Sequence, residues 1–210
     1  MSALIEDYLR QLVGALGQIA PPIDADKLGQ LYLRGDYPAM LGWIKNSMKI
    51  ELRIGLRIVD LEAPSPPMWI EVPTPLPRPG TLEHQSARAI VNARRDWLVG
   101  KPFGWIVACF AHELSHVVLF ALDHPLQHEE KAVDLTAMIL GYDRFIVTSE
   151  ATTKHWNIWS ILLSILLLRF GVVFFQGPAE TTERLGYLSS AEAEAARRWL
   201  TRRTAATSAQ

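Results

Sequence analysis

The run from Trp105 to Leu122 constrains this chain more than any other stretch, because it is strongly apolar and free of proline yet carries His112, Glu113 and His116 at its centre. Lys101, Pro102 and Gly104 open it; Ile106, Val107 and Phe110 precede the three polar residues, and Val117, Val118 and Leu119 follow them. Such a run predicts a helix packed into a core. Residues four apart on a helix share a face, with Cβ atoms about 5–6 Å apart, so the imidazoles of His112 and His116 can reach one ion. A carboxylate and two imidazoles in an otherwise apolar helix are costly unless they have a partner. The spacing His112-Glu113-Leu114-Ser115-His116 suggests that partner. Two neutral imidazoles suit a zinc ion, and Glu113 stands beside it to accept a proton from water that the ion has made more acidic.

Two histidines do not complete a site. A third histidine six residues beyond His116 would be the metzincin solution, but Leu122 occupies that position. The next predicted helix, from about Gln127 to Leu140 with Gly141 as its stop, offers Glu130 and Asp134 four apart on one face. Glu130 can ligate while Asp134 accepts the N–H of a ligating histidine, with His112 as the expected partner. Asp123, His124, His128 and Glu129 are the competitors. His124 follows the first helix too closely to fold back easily, and Glu129 has apolar Val133 one turn on, which leaves His128 as the next choice. Cys109, three residues before His112, reads as a small apolar filler.

The stretches AHELSHVVL and EEKAVDLTAMILGY resemble the gluzincin metallopeptidases, which carry H-E-x-x-H on one helix and E-x-x-x-D on the next. They are most similar to the short members, the minimal gluzincins and the relatives of the ImmA/IrrE and M48-type peptidases. The resemblance implies zinc as cofactor, His112, His116 and Glu130 as ligands, Glu113 as general base, and Asp134 as support behind a ligand. It implies hydrolysis of peptide bonds in a protein or peptide substrate, with a tyrosine or histidine near the carbonyl oxygen. Tyr142, His155 and Tyr187 are the candidates for that role. It also implies a zincin-like core: a small, mostly antiparallel sheet packed on the active-site helix. Two alternatives stand beside this reading: a regulatory or binding protein whose metal is structural or vestigial, and a peptidase associated with a membrane.

Around that centre the chain reads as α+β, helices first, then a few strands, then helices. Leu4, Ile5, Tyr8, Leu9, Leu12, Val13 and Leu16 recur at helical spacing beside Glu6 and Asp7, which suits an amphipathic helix and not a secretory leader. Helices are expected from Asp26 to Leu33 and from about Pro38 to Asn46. Strict alternation from Lys49 to Val59 predicts a half-buried strand. Met68 to Val72 predicts a short edge strand, stopped by Pro73, Pro75, Pro77 and Pro79, that could receive an extended peptide. Ala87 to Ala93 is read as a third strand. Ser189 and Glu192 form a capping box before a last helix, and Thr204 to Gln210 is expected to be loose. The expected division is a helical segment at 1–47, the zincin-like core at 48–150, an apolar and helical segment packed on it at 151–203, and a flexible tail at 204–210.

Charge and cysteine usage bear on partners and compartment. A net charge of −1 with both signs interspersed argues against a nucleic-acid partner. The lone Cys109 cannot form an internal disulfide, so a cytoplasmic location is expected. Ile158 to Phe175 approaches the length of a bilayer span but is interrupted by Arg169 and Gly171. It is read as a buried helix, Asn157 to Phe170, followed by a short strand, Val172 to Phe175, with membrane contact as the alternative.

Overall fold

The computed structural model describes residues 2–61, 66–78, 80–147, 150–155, 179–184 and 186–208; the apolar stretch from Ile158 to Phe175 lies outside them. The first helices begin where short polar side chains can cap them. α1 (Ala3–Leu16) starts behind Ser2, whose hydroxyl accepts the Ile5 N–H, and ends at Gly17 in the left-handed region. Its buried residues, Ile5, Leu9 and Leu12, belong to the stripe expected from the spacing. α2 (Ala25–Leu33) is capped by the Asp24 carboxylate, and α3 (Tyr37–Ser47) by that of Asp36 with Pro38 in its first turn.

The central sheet has the order β1-β3-β2, from β1 (Arg53–Val59), β2 (Met68–Glu71) and β3 (Arg88–Arg94). β3 runs parallel to β1 and antiparallel to β2, so the sheet is mixed and not mostly antiparallel. The prolines after β2 rule out a tight hairpin: the chain leaves the sheet, forms α4 (Leu82–Ser86), and re-enters between the two earlier strands. β1 also starts later than its alternation suggests. Lys49 has φ 58°, and the N–H groups of Lys49 and Ile50 donate back to the Asn46 and Lys45 carbonyls, so they are lost to a ladder.

After α5 (Arg95–Gly100) comes α6 (Phe103–Ala121), which packs on one face of the sheet, where Val117 meets Leu52 and Ala89. It is the one helix among the described residues long and apolar enough to cross a bilayer, and most of it is buried within the fold. α7 (Glu130–Ala137) lies against it and passes through a π-helical turn, Met138–Tyr142, into α8 (Asp143–Val147). The expected stop at Gly141 is therefore a kink. Gly141 has φ 94°, and a Cβ there would sit 2.3 Å from the Pro21 carbonyl oxygen, so only glycine lets the two segments meet.

α9 (Ser190–Ser208) opens with the capping box: the Glu192 carboxylate accepts the Ser189 N–H at 2.7 Å, and Ser189 Oγ accepts the Glu192 N–H at 3.2 Å. It runs on past Thr204, whose hydroxyl donates to the Leu200 carbonyl. The chain divides into two compact units, Met1–Ser149 with Leu185–Gln210, and Glu150–Arg184. The second contains an antiparallel pair, β4 (Glu150–His155) and β5 (Ala179–Arg184).

Candidate metal centre

The α6–α7 pair brings three electron-pair donors to one point. His112 and His116, one turn apart on α6, present Nε2 atoms at 3.2 and 3.6 Å from Glu130 Oε2, at the start of α7. The three ligand atoms lie within 4.8 Å of one another, and the group can hold a metal ion. The two rings meet edge to face, with centroids 5.1 Å apart. Among the described residues this is the one such group; Asp123, His124, His128, Glu129 and Cys109 do not join it.

The chemistry behind the three atoms calls for a cation. His112 Nδ1 lies 2.8 Å from Asp134 Oδ1, and a carboxylate can only accept, so Nδ1 carries the hydrogen. In the neutral ring the lone pair then sits on Nε2 and faces Glu130. Glu130 is partly exposed along its stem, yet Oε2 is sealed from solvent and accepts no hydrogen bond among the described residues. At 3.2 Å from His112 the contact is close, but it lacks the alignment of a directed N–H···O bond. A buried, unpaired carboxylate oxygen opposite imidazole nitrogens is unfavourable without a positive charge between them.

Asp134 is held from its other side by main chain. Its Oδ2 accepts the Tyr187 N–H at 2.7 Å and the Leu188 N–H at 3.2 Å, and the side chain is 1% exposed. Gly186 makes that approach feasible: it has φ 92°, and a Cβ there would stand 3.0 Å from Oδ2. Asp134 is legible from its spacing to Glu130, but this cradle is not; its only local sign is Gly186 just ahead of the capping box.

The electrostatics separate the two histidines. Burial alone would depress His112, but the Asp134 and Glu130 carboxylates outweigh it and lift its pKa to about 10. Burial, reinforced by the charge on His112, drops His116 to about 4. The His112 contact holds Glu130 below the usual carboxylate range. In the metal-free protein, a proton on His112 thus stands in for the cation. Glu113 is 8% exposed, and burial pushes it up to about 7, although the Ile70 N–H of β2 donates to it.

No family model, curated protein or solved structure matches the chain. The site is therefore read from its own residues. On the His116 side the Phe120 ring stacks on His116 at 6.2 Å and meets the edge of His128 at 5.7 Å. Phe120 and His128 line a cavity of about 570 Å³ whose opposite wall is the proline strap from Val72 to Arg78. His124 instead uses Nδ1 to accept the Leu126 N–H, which turns the chain between α6 and α7.

The three candidates for polarising a carbonyl fall in different places. Tyr142 is a correction: it is fully buried in the core, and its hydroxyl is hydrogen-bonded to Ser47 Oγ, so it is spent on tying the π-helical turn to α3. His155 ends β4 in the second unit. Tyr187 is at the centre, 56% exposed, with its ring stacked on His112 at 5.7 Å and 22°. Partial burial and the nearby Glu130, Asp134 and Glu113 carboxylates raise its pKa, which keeps its hydroxyl protonated.

Proposed function

We propose that this chain is a zinc-dependent metallopeptidase of the gluzincin type, acting on a protein or peptide substrate from a zincin-like core. One observation carries the proposal: the Nε2 atoms of His112 and His116 lie 3.2 and 3.6 Å from a sealed carboxylate oxygen of Glu130, and all three ligand atoms fall within 4.8 Å of one another. Ligand atoms about 2.0–2.1 Å from a tetrahedral zinc lie about 3.4 Å from one another, which matches that spacing. A His₂Glu set leaves a fourth position open, as in catalytic zinc sites. An ion held there would polarise a substrate carbonyl and make an attacking water more acidic.

The remaining roles belong to the chain. Glu113, buried beside the cluster and poised near neutrality, takes the proton of the attacking water and hands it to the leaving amine. Asp134 fixes the His112 tautomer so that Nε2 faces the ion. β2, which ends the central sheet among the described residues, runs beside Glu113 and is the strand on which an extended peptide would align. Tyr187 takes the place first considered for Tyr142 and donates its hydroxyl hydrogen to the carbonyl oxygen.

Elemental analysis and a peptide-cleavage assay on the same preparation test this. Glu113→Gln should keep one zinc per chain while hydrolysis falls roughly 10²- to 10⁴-fold. His116→Ala should lose the metal. If Glu113→Gln cleaved at a rate comparable with the unaltered protein, the proposal would be wrong.

A further inference from the structure

A second cavity, of about 520 Å³, lies along α6 on the faces that Val117, Val118 and Leu122 present away from the ligands, and it is walled also by Met48, Ile50 and His84. Its size is ordinary for a small-molecule site, and its lining is mostly apolar. The polar exception inside is His84, which is only 3% exposed. The Pro77 carbonyl lies 2.9 Å from His84 Nδ1 and can only accept, so Nδ1 carries the hydrogen and the neutral ring keeps its lone pair on Nε2. No described residue donates to Nε2, and it is not sealed off. A nearly buried imidazole with one acceptor atom left unpaired among the described residues thus lines a mostly apolar cavity. At the rim stand Lys49 and Glu51, one charge of each sign, so the cavity favours no net ligand charge.

We propose that this cavity binds a neutral, largely apolar small molecule that donates one hydrogen bond, through a hydroxyl or N–H, to His84 Nε2. The site is separate from the metal ligands and does not depend on the peptidase reading. Pro77, which holds His84, also walls the cavity beside Phe120, so the proline strap supports both.

The test is calorimetric titration of the full chain at pH 8 with 2-naphthol and with 2-methoxynaphthalene, which has the same rings but no donor. One hydrogen bond to a buried acceptor corresponds to roughly tenfold tighter binding of 2-naphthol. His84→Phe should bring the two probes to within roughly twofold. Val118→Trp fills the cavity and should remove both; it leaves the Pro77 contact intact, so it decides the matter if His84→Phe fails to fold. Equal affinity of the two probes for the unaltered protein, no binding of either, or undiminished binding to Val118→Trp would overturn the proposal.

Discussion

His112 and His116 sit one turn apart on the same helix and aim at the same point, but their surroundings hold them by different physics. On the His112 side everything is polar and directional: Asp134 receives the ring N–H on one oxygen and two main-chain N–H groups on the other. On the His116 side no hydrogen bond among the described residues fixes the ring, which lies against Phe120 beside an apolar, proline-walled cavity. The difference teaches where the site stores its geometry. A hydrogen-bonded carboxylate sets both tautomer and direction, whereas ring stacking restricts only orientation. Metal affinity should therefore be far more sensitive on the first side than on the second.

Asp134→Asn tests the stronger side and should have the larger effect. The amide can still accept through its oxygen, but its NH₂ must then confront either the His112 N–H or the backbone donors of Tyr187 and Leu188. Loss of such a support typically weakens metal binding about 10–100-fold, which competition with a chelator measures. A metal affinity within a factor of about two of the unaltered protein would mean that Asp134 does not govern His112.

The pH response of chelator-treated protein sharpens the contrast, because the two histidines shift in opposite directions. The His112 pKa is raised to about 10 in the fold, so its contribution is fully present below the unfolded value near 6.5 and is lost as pH rises through about 10. The His116 pKa is depressed to about 4, so its contribution is present above 6.5 and is lost as pH falls through about 4. Glu113, raised from 4.5 to about 7, loses its contribution mainly between those two pH values, before the fall assigned to His112 is complete. Denaturant unfolding of the metal-free protein should show stability falling between pH 7 and 10 by an amount on the order of a few kcal/mol. Zinc should suppress that fall, since the cation replaces the proton on His112. A metal-free protein equally stable at both pH values would contradict the assigned roles of Asp134 and Glu130.

How far this site could be read in advance follows from how local each part is. His112 and His116, and Glu130 and Asp134, are pairs four apart on single helices, and helical periodicity exposes such pairs directly. The cradle around Asp134 was not legible: Tyr187 lies 53 residues along the chain, and it contributes a main-chain N–H that no side chain announces. Tyr142 and Tyr187 looked alike as candidates, because a tyrosine in the sequence does not say whether its hydroxyl meets Ser47 or a cleft. The strands were found but their order was not, since the alternation of Ile54, Leu56 and Ile58 specifies which residues share a face and not which neighbour lies on either side; the face proved only half-buried, with Ile58 exposed. Gly141 read as a stop because a glycine after a helix usually is one; the Pro21 carbonyl pressed against it lies over a hundred positions away.

The smallest expected effect belongs to Phe120→Ala, which tests the weaker side of the comparison. Truncation removes the ring that stacks on His116 and meets His128, and it widens the cavity beside the proline strap. Phe120 is only half-buried, so the loss of stability should be about 1–2 kcal/mol, below the 3–5 typical of a fully buried phenylalanine. Zinc affinity should weaken by no more than about threefold, because the His116 nitrogen keeps its place on α6 and the ion itself can orient the ring. Chelator competition and chemical denaturation on one preparation read both quantities. If Phe120→Ala weakened zinc binding as much as Asp134→Asn, the geometry would be stored equally on the two sides, and stacking would have to be doing the work here assigned to the carboxylate.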